Sequence, residues 1–82
     1  MPTVLRSGGY RFFFFSNEGS ESPHIHIERD DRYAKFGLAP VRLERSSGFN
    51  SIELNKLRRM VEEQEEFFKE KWDEHFGGKK RA

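Results

Sequence analysis

Four consecutive phenylalanines, Phe12, Phe13, Phe14 and Phe15, follow Tyr10 and Arg11, and they constrain this chain more than any other stretch. Aromatic side chains fit a pleated surface. The run is bounded by Gly8 and Gly9 on one side and by Ser16 and Asn17 on the other, which predicts a strand over residues 10–15. Alternation along a strand then puts rings on both faces of the sheet. Such a strand must either lie centrally, covered on both sides, or present an apolar patch to a partner.

The chain has 82 residues, enough for one small domain with a thin core. Cysteine is absent, which removes disulfides and thiolate zinc sites as sources of stability. Single cores of this size rarely supply more than about 3–5 kcal/mol, so self-association or a cognate protein partner is expected. Fifteen basic and fourteen acidic residues leave a net charge of +1, so any contact with RNA must come from a local patch. There is no basic-then-apolar leader and no apolar run near the roughly 18 residues of a membrane span. The expectation is a cytoplasmic protein that does not contact membranes.

Taken in order, residues 3–6 and 10–15 form a hairpin about the turn Ser7, Gly8, Gly9. A polar connection over 16–23, ending in Pro23, leads to a strand over 24–29. Asp30 and Asp31 turn the chain into a return strand over 32–38, with Ala34, Phe36 and Leu38 inward and Tyr33 and Lys35 outward. Ala39 and Pro40 interrupt it, 41–43 is a short further strand, and 44–48 is a loop. The period then changes to that of a helix. Asn50 is the N-cap and Glu53 reaches back to it in a capping box, while Phe49 and Leu54 occupy the hydrophobic-staple positions. Leu54, Leu57, Val61, Phe68, Trp72 and Phe76 follow at spacings of three and four, up to Gly77 and Gly78; polar residues in the middle mark a bend or a second helix. The fold class is therefore α+β: a three- to four-stranded antiparallel meander packed by one long, bent C-terminal helix. Residues 1–78 form a single domain and 79–82 a basic tail. Met60 and Phe67 lie off the main stripe and, with Trp72, are candidate partner-binding residues; a widened core is the alternative.

The chemistry is concentrated in His24, Ile25, His26 and Ile27, where alternation sets two imidazoles and Glu28 on one face and the isoleucines on the other. Three readings compete. As a general acid–base pair, His24 and His26 would cleave an RNA phosphodiester without metal, with Lys35 stabilising charge and Arg11 and Arg29 binding substrate. As metal ligands they need a third donor such as Glu18, Glu21, Glu28 or His75, and nothing in the sequence fixes one. As structural residues they hydrogen-bond the neighbouring turn. A histidine-triad hydrolase would want histidine where Glu28 stands, and a glycine-rich phosphate loop, a zinc-protease helix and a cysteine nucleophile are all missing. No cofactor is implied.

Several of these segments together, namely Met1 to Arg6, Gly9 to Phe14, Ser16 to Glu18, Pro23 to Ile27, Ala34 to Phe36, Pro40 with Val41, and Trp72 to Phe76, resemble a small prokaryotic family catalogued as domain of unknown function 4160. The resemblance spans nearly the whole chain. It implies a cognate small protein encoded alongside, in an arrangement similar to toxin–antitoxin pairs. The expected function is the partner-binding component of such a module, with ribonuclease activity at His24 and His26, or alternatively a non-enzymatic, antitoxin-like interaction module; a metal-binding protein is the third reading. Gly37 and Ala39 stand where the family pattern leads one to expect a bulky aromatic and an acidic residue, and Gly37 is expected to loosen the return strand.

Overall fold

Only the first half of the phenylalanine run, Phe12 and Phe13, lies in the second strand of an antiparallel sheet whose strands follow chain order. The strand expected over 10–15 stops at Phe13, where its pairing with the next strand ends, and Phe14 and Phe15 continue outside it. The computed structural model describes residues 3–15 and 22–77. The strands are β1 (Thr3–Ser7), β2 (Tyr10–Phe13), β3 (His24–Arg29), β4 (Arg32–Leu38) and β5 (Val41–Ser47). Two helices follow, α1 (Ser51–Glu63) and α2 (Glu65–Trp72), closed by a π-helical turn over Asp73–Gly77. The antiparallel meander and the α+β class agree with the sequence reading. The number of strands and the single long helix do not.

The strand that departs most from the sequence reading is β5, which runs on to Ser47. The sequence suggests a short strand ending at Leu43 and then a loop, because Arg42, Glu44, Arg45, Ser46 and Ser47 carry little strand signal. They are nevertheless paired to β4 as far as Ser47 opposite Tyr33. Nearly all of β5 is exposed, so its backbone ladder and not side-chain burial holds it. Gly37 does not loosen β4: it keeps its place in the ladder between His24 and Arg42. Flanking strands on both sides override its low strand propensity.

The helix breaks at Gln64, whose backbone leaves helical geometry (φ −109°, ψ 18°). Glu62, Glu63, Glu65 and Glu66 surround the break. In a continuous helix they would form like-charged pairs three and four residues apart, which destabilise it. The break still leaves Leu57 and Val61 of α1 and Phe68 and Trp72 of α2 buried against one face of the sheet.

That face supplies Tyr10, Phe12, Phe14, Ile25, Ile27, Ala34, Phe36 and Leu38, all at most 1% exposed. Phe12 stacks on Phe68 at 5.4 Å, and Phe14 meets Trp72 edge-on at 5.1 Å. Full burial of each such ring is worth about 1.5–3 kcal/mol, so the phenylalanine run anchors the helical layer. Asn50 caps α1 as expected, accepting from the Glu53 backbone N–H at 2.8 Å. The Glu53 carboxylate does not complete the capping box. It accepts instead from the Tyr10 hydroxyl at 2.8 Å and from Arg32 at 3.1 Å, pinning the start of α1 to β2 and β4.

β1 and β5 are the edges of the sheet. Each carries an irregularity: the β1–β2 register shifts between Thr3 and Leu5, and the β4–β5 register shifts between Lys35 and Phe36, where Glu44 is the additional residue.

Candidate functional site

The registers define a grid on the sheet face turned away from the helices. One row runs Arg6, Arg11, Glu28, Tyr33, Ser47 across β1 to β5, and the next runs Thr3, Phe13, His26, Lys35, Arg45. A shorter third row holds His24, Gly37 and Arg42. The alternation that buries Ile25 and Ile27 under the helices therefore brings His24 and His26 together here, with Lys35 directly opposite His26.

Both imidazoles are only 2% exposed. Their rings meet edge to face with centroids 4.9 Å apart. His26 stacks on Phe13 at 5.4 Å, is capped edge-on by Phe15 at 4.6 Å, and hydrogen-bonds through Nδ1 with the Tyr33 hydroxyl at 2.7 Å. Pairing between β2 and β3 ends at Phe13 opposite His26. Beyond that point no strand among the described residues flanks His24 on that side, and Trp72 of α2 reaches its ring at 4.9 Å. The Nδ1–H of His24 donates to the Ser22 carbonyl at 2.9 Å. Imidazoles in edge-to-face contact leave no room for a phosphate between them, and ring contacts of this kind contribute about 0.5–1.5 kcal/mol each.

The charged candidates separate. Arg11 belongs to the site: it lies 4.5 Å over the Phe13 ring, donates to Glu28 at 2.8 Å and donates to the Thr3 hydroxyl at 2.8 Å. Lys35 faces the Glu44 carboxylate at 3.7 Å. Arg29 does not join them, because it turns to the helix side and lies 5.2 Å over Tyr10. Met60 and Phe67 are half-buried against the main core, and Trp72 is 5% exposed within it, so these three do not form a single outward surface.

Among the described residues no three His, Asp or Glu side chains converge as a metal site. Glu28 is turned to Arg11, and His75 lies 6.2 Å from Phe14 across the helix side. Glu18 and Glu21, and the rest of the polar connection over 16–21, lie outside the described residues. Beside Gly37 a cavity of about 240 Å³ opens between Ser22, Pro23, Ala39, Arg42 and Glu44.

Sequence reasoning did not identify Phe13, Phe15, Tyr33 and Trp72 as the walls around the imidazoles. The outward placement of Tyr33 was a usable signal, but its partnership with His26 depends on the β3–β4 register. No curated protein and no solved structure matches the chain. The sequence model of DUF4160, a domain of unknown function, matches residues 9–73, which include β2, both histidines, Lys35, α1 and α2, and the chain therefore belongs to the DUF4160 family.

Proposed function

We propose that the protein is a non-enzymatic interaction module, the partner-binding member of a cytoplasmic two-protein unit of toxin–antitoxin type, and that it docks its partner on the sheet face carrying His24 and His26. One observation carries this reading: both imidazoles are buried in contact with each other and engaged through Nδ1 within the chain, so they brace the face from beneath. Half-buried Phe15, Tyr33, Arg11 and Lys35 surround them. Aromatic and arginine side chains of this kind supply most of the binding energy at protein interfaces.

The test is reconstitution with the small protein that this reading expects to be encoded beside this one. Phe15→Ala and Tyr33→Ala should each weaken the complex by about tenfold or more, as truncation of an interface anchor does. A chain that stays alone with its neighbour-encoded protein present at micromolar concentration refutes the reading.

A second reading, RNA cleavage by His24 and His26, is favoured by the position of Lys35 directly opposite His26. It requires the Phe15 ring to leave His26 so that a phosphodiester can enter. Cleavage by purified protein that His24→Ala and His26→Ala abolish, with the fold intact by circular dichroism, would replace the first reading with this one.

A further inference from the structure

The face described above sets like charges directly against each other. Arg6 lies opposite Arg11, and Lys35 lies opposite Arg45. Directly opposed like charges destabilise an antiparallel pair, so a ladder selected only for stability would not place two such pairs on one face. The inner member of each pair has a carboxylate beside it: Glu28 is 2.8 Å from Arg11 and Glu44 is 3.7 Å from Lys35. The outer members, Arg6 and Arg45, and their neighbour Arg42 are exposed on the edge strands. Among the described residues these three form no ion pair.

The face thus carries five basic side chains against two acidic ones, in a chain whose net charge is only +1. Acidic charge is concentrated in the second half of the helical layer, where residues 62–74 hold seven acidic and two basic side chains, whereas the preceding turns of α1 carry Lys56, Arg58 and Arg59. We infer that the partner presents an acidic protein surface to this face and offsets the opposed pairs Arg6 with Arg11 and Lys35 with Arg45. This rests on the interaction reading above and names the partner's chemistry. A protein fits better than single-stranded RNA. Phe13 and His26, the rings at the centre of the face, are 2% exposed, the half-buried Phe15 and Tyr33 rings are packed against His26, and Glu28 and Glu44 break up the basic groups that a phosphate chain would follow.

Two measurements test the inference. In the isolated protein, the double variant Arg6→Glu, Arg45→Glu converts both opposed pairs to attractive ones, and its Tm should rise by about 2–6 °C. In titrations with a decaglutamate peptide at low salt, followed by amide NMR, the wild type should show shifts in β1, β4 and β5. Affinity should fall at least tenfold in the double variant, and likewise at high salt. A lower Tm, no peptide-induced shifts, tighter binding of a ten-residue oligouridylate, or concentration-dependent self-association through the acidic helices of a second copy each overturns it. A complex with the neighbour-encoded protein that forms equally well with the double variant and is indifferent to salt also overturns it, and leaves the interaction reading standing. Failure of the wild type to form that complex overturns the reading itself.

Discussion

Replacing Glu53 by alanine tests how the helical layer is tied to the sheet. The carboxylate is 16% exposed, accepts from the Tyr10 hydroxyl at 2.8 Å, and pairs with Arg32 at 3.1 Å. Tyr10 is 1% exposed, so its hydroxyl has little access to solvent once Glu53 is gone. A hydrogen bond to a charged group contributes about 1.5–3 kcal/mol. The Arg32 pair adds less, about 0.5 kcal/mol, since the guanidinium is 32% exposed and screened. A negative charge in the first turn of α1 adds about 0.3–1 kcal/mol through the helix dipole. The expected loss is about 2–4 kcal/mol, a large share of the stability of a domain this size, with Tm lowered by about 10–25 °C. Glu53→Gln should lose less, because the amide oxygen can still accept from Tyr10. Urea and thermal unfolding by circular dichroism measure both variants, and a double-mutant cycle with Tyr10→Phe should return a coupling of about 1–2 kcal/mol. A Glu53→Ala cost under about 0.5 kcal/mol, or a coupling near zero, refutes the claim that this carboxylate fastens α1 to the sheet.

Burial, aided by the Glu53 hydrogen bond and opposed in part by Arg29, raises the Tyr10 phenol above its ordinary pKa of 10.0. The folded state therefore holds this proton more tightly than the unfolded state. Its contribution to stability is complete below pH 10.0 and is lost as pH climbs through the folded value. Ultraviolet titration of the Tyr33→Phe protein should show the remaining phenol ionising above free tyrosine, and ionisation at or below it contradicts the burial argument. Gly37→Ala should be tolerated. The new Cβ would meet Glu44 Oε2 at 2.6 Å, but that is the end of a flexible side chain, which can swing away at the expense of its contact with Lys35. Lower entropy of the unfolded chain offsets the lost pair, so unfolding free energy should change by less than about 1 kcal/mol, and a loss above about 2 kcal/mol would mean that this corner is rigidly packed. Asn50→Ala should cost about 1 kcal/mol through loss of the α1 cap, read as a shifted urea midpoint, and an unchanged midpoint counts against that cap.

Local patterns carried much of this fold. The Phe12 to Phe15 run, the Gly8–Gly9 and Asp30–Asp31 turns, the Asn50 cap and the apolar stripe through Leu57, Val61, Phe68 and Trp72 are each decided by neighbours within a few residues. What the sequence hid is set by partners distant in the chain. β5 runs past Leu43 to Ser47 because β4 offers it a ladder, Glu53 abandons its capping box because Tyr10 and Arg32 lie within reach, and His26 faces Tyr33 because of the β3–β4 register. The His24–His26 juxtaposition follows from period-two alternation alone. Their burial does not, since it depends on Phe15 folding back over the face and on Trp72 arriving from a helix more than forty residues later.

The irregularities at the two edge strands limit how this protein can assemble. A sheet with regular edges can grow in one dimension, each added strand exposing a fresh template for the next. Here the register shift in β1 and the extra residue Glu44 in β5 interrupt the outward backbone pattern at both ends and increase the local twist. Lateral growth by strand addition is thus disfavoured at either side. A sheet whose two ends offer no regular template can be held at high concentration without seeding edge-to-edge fibres.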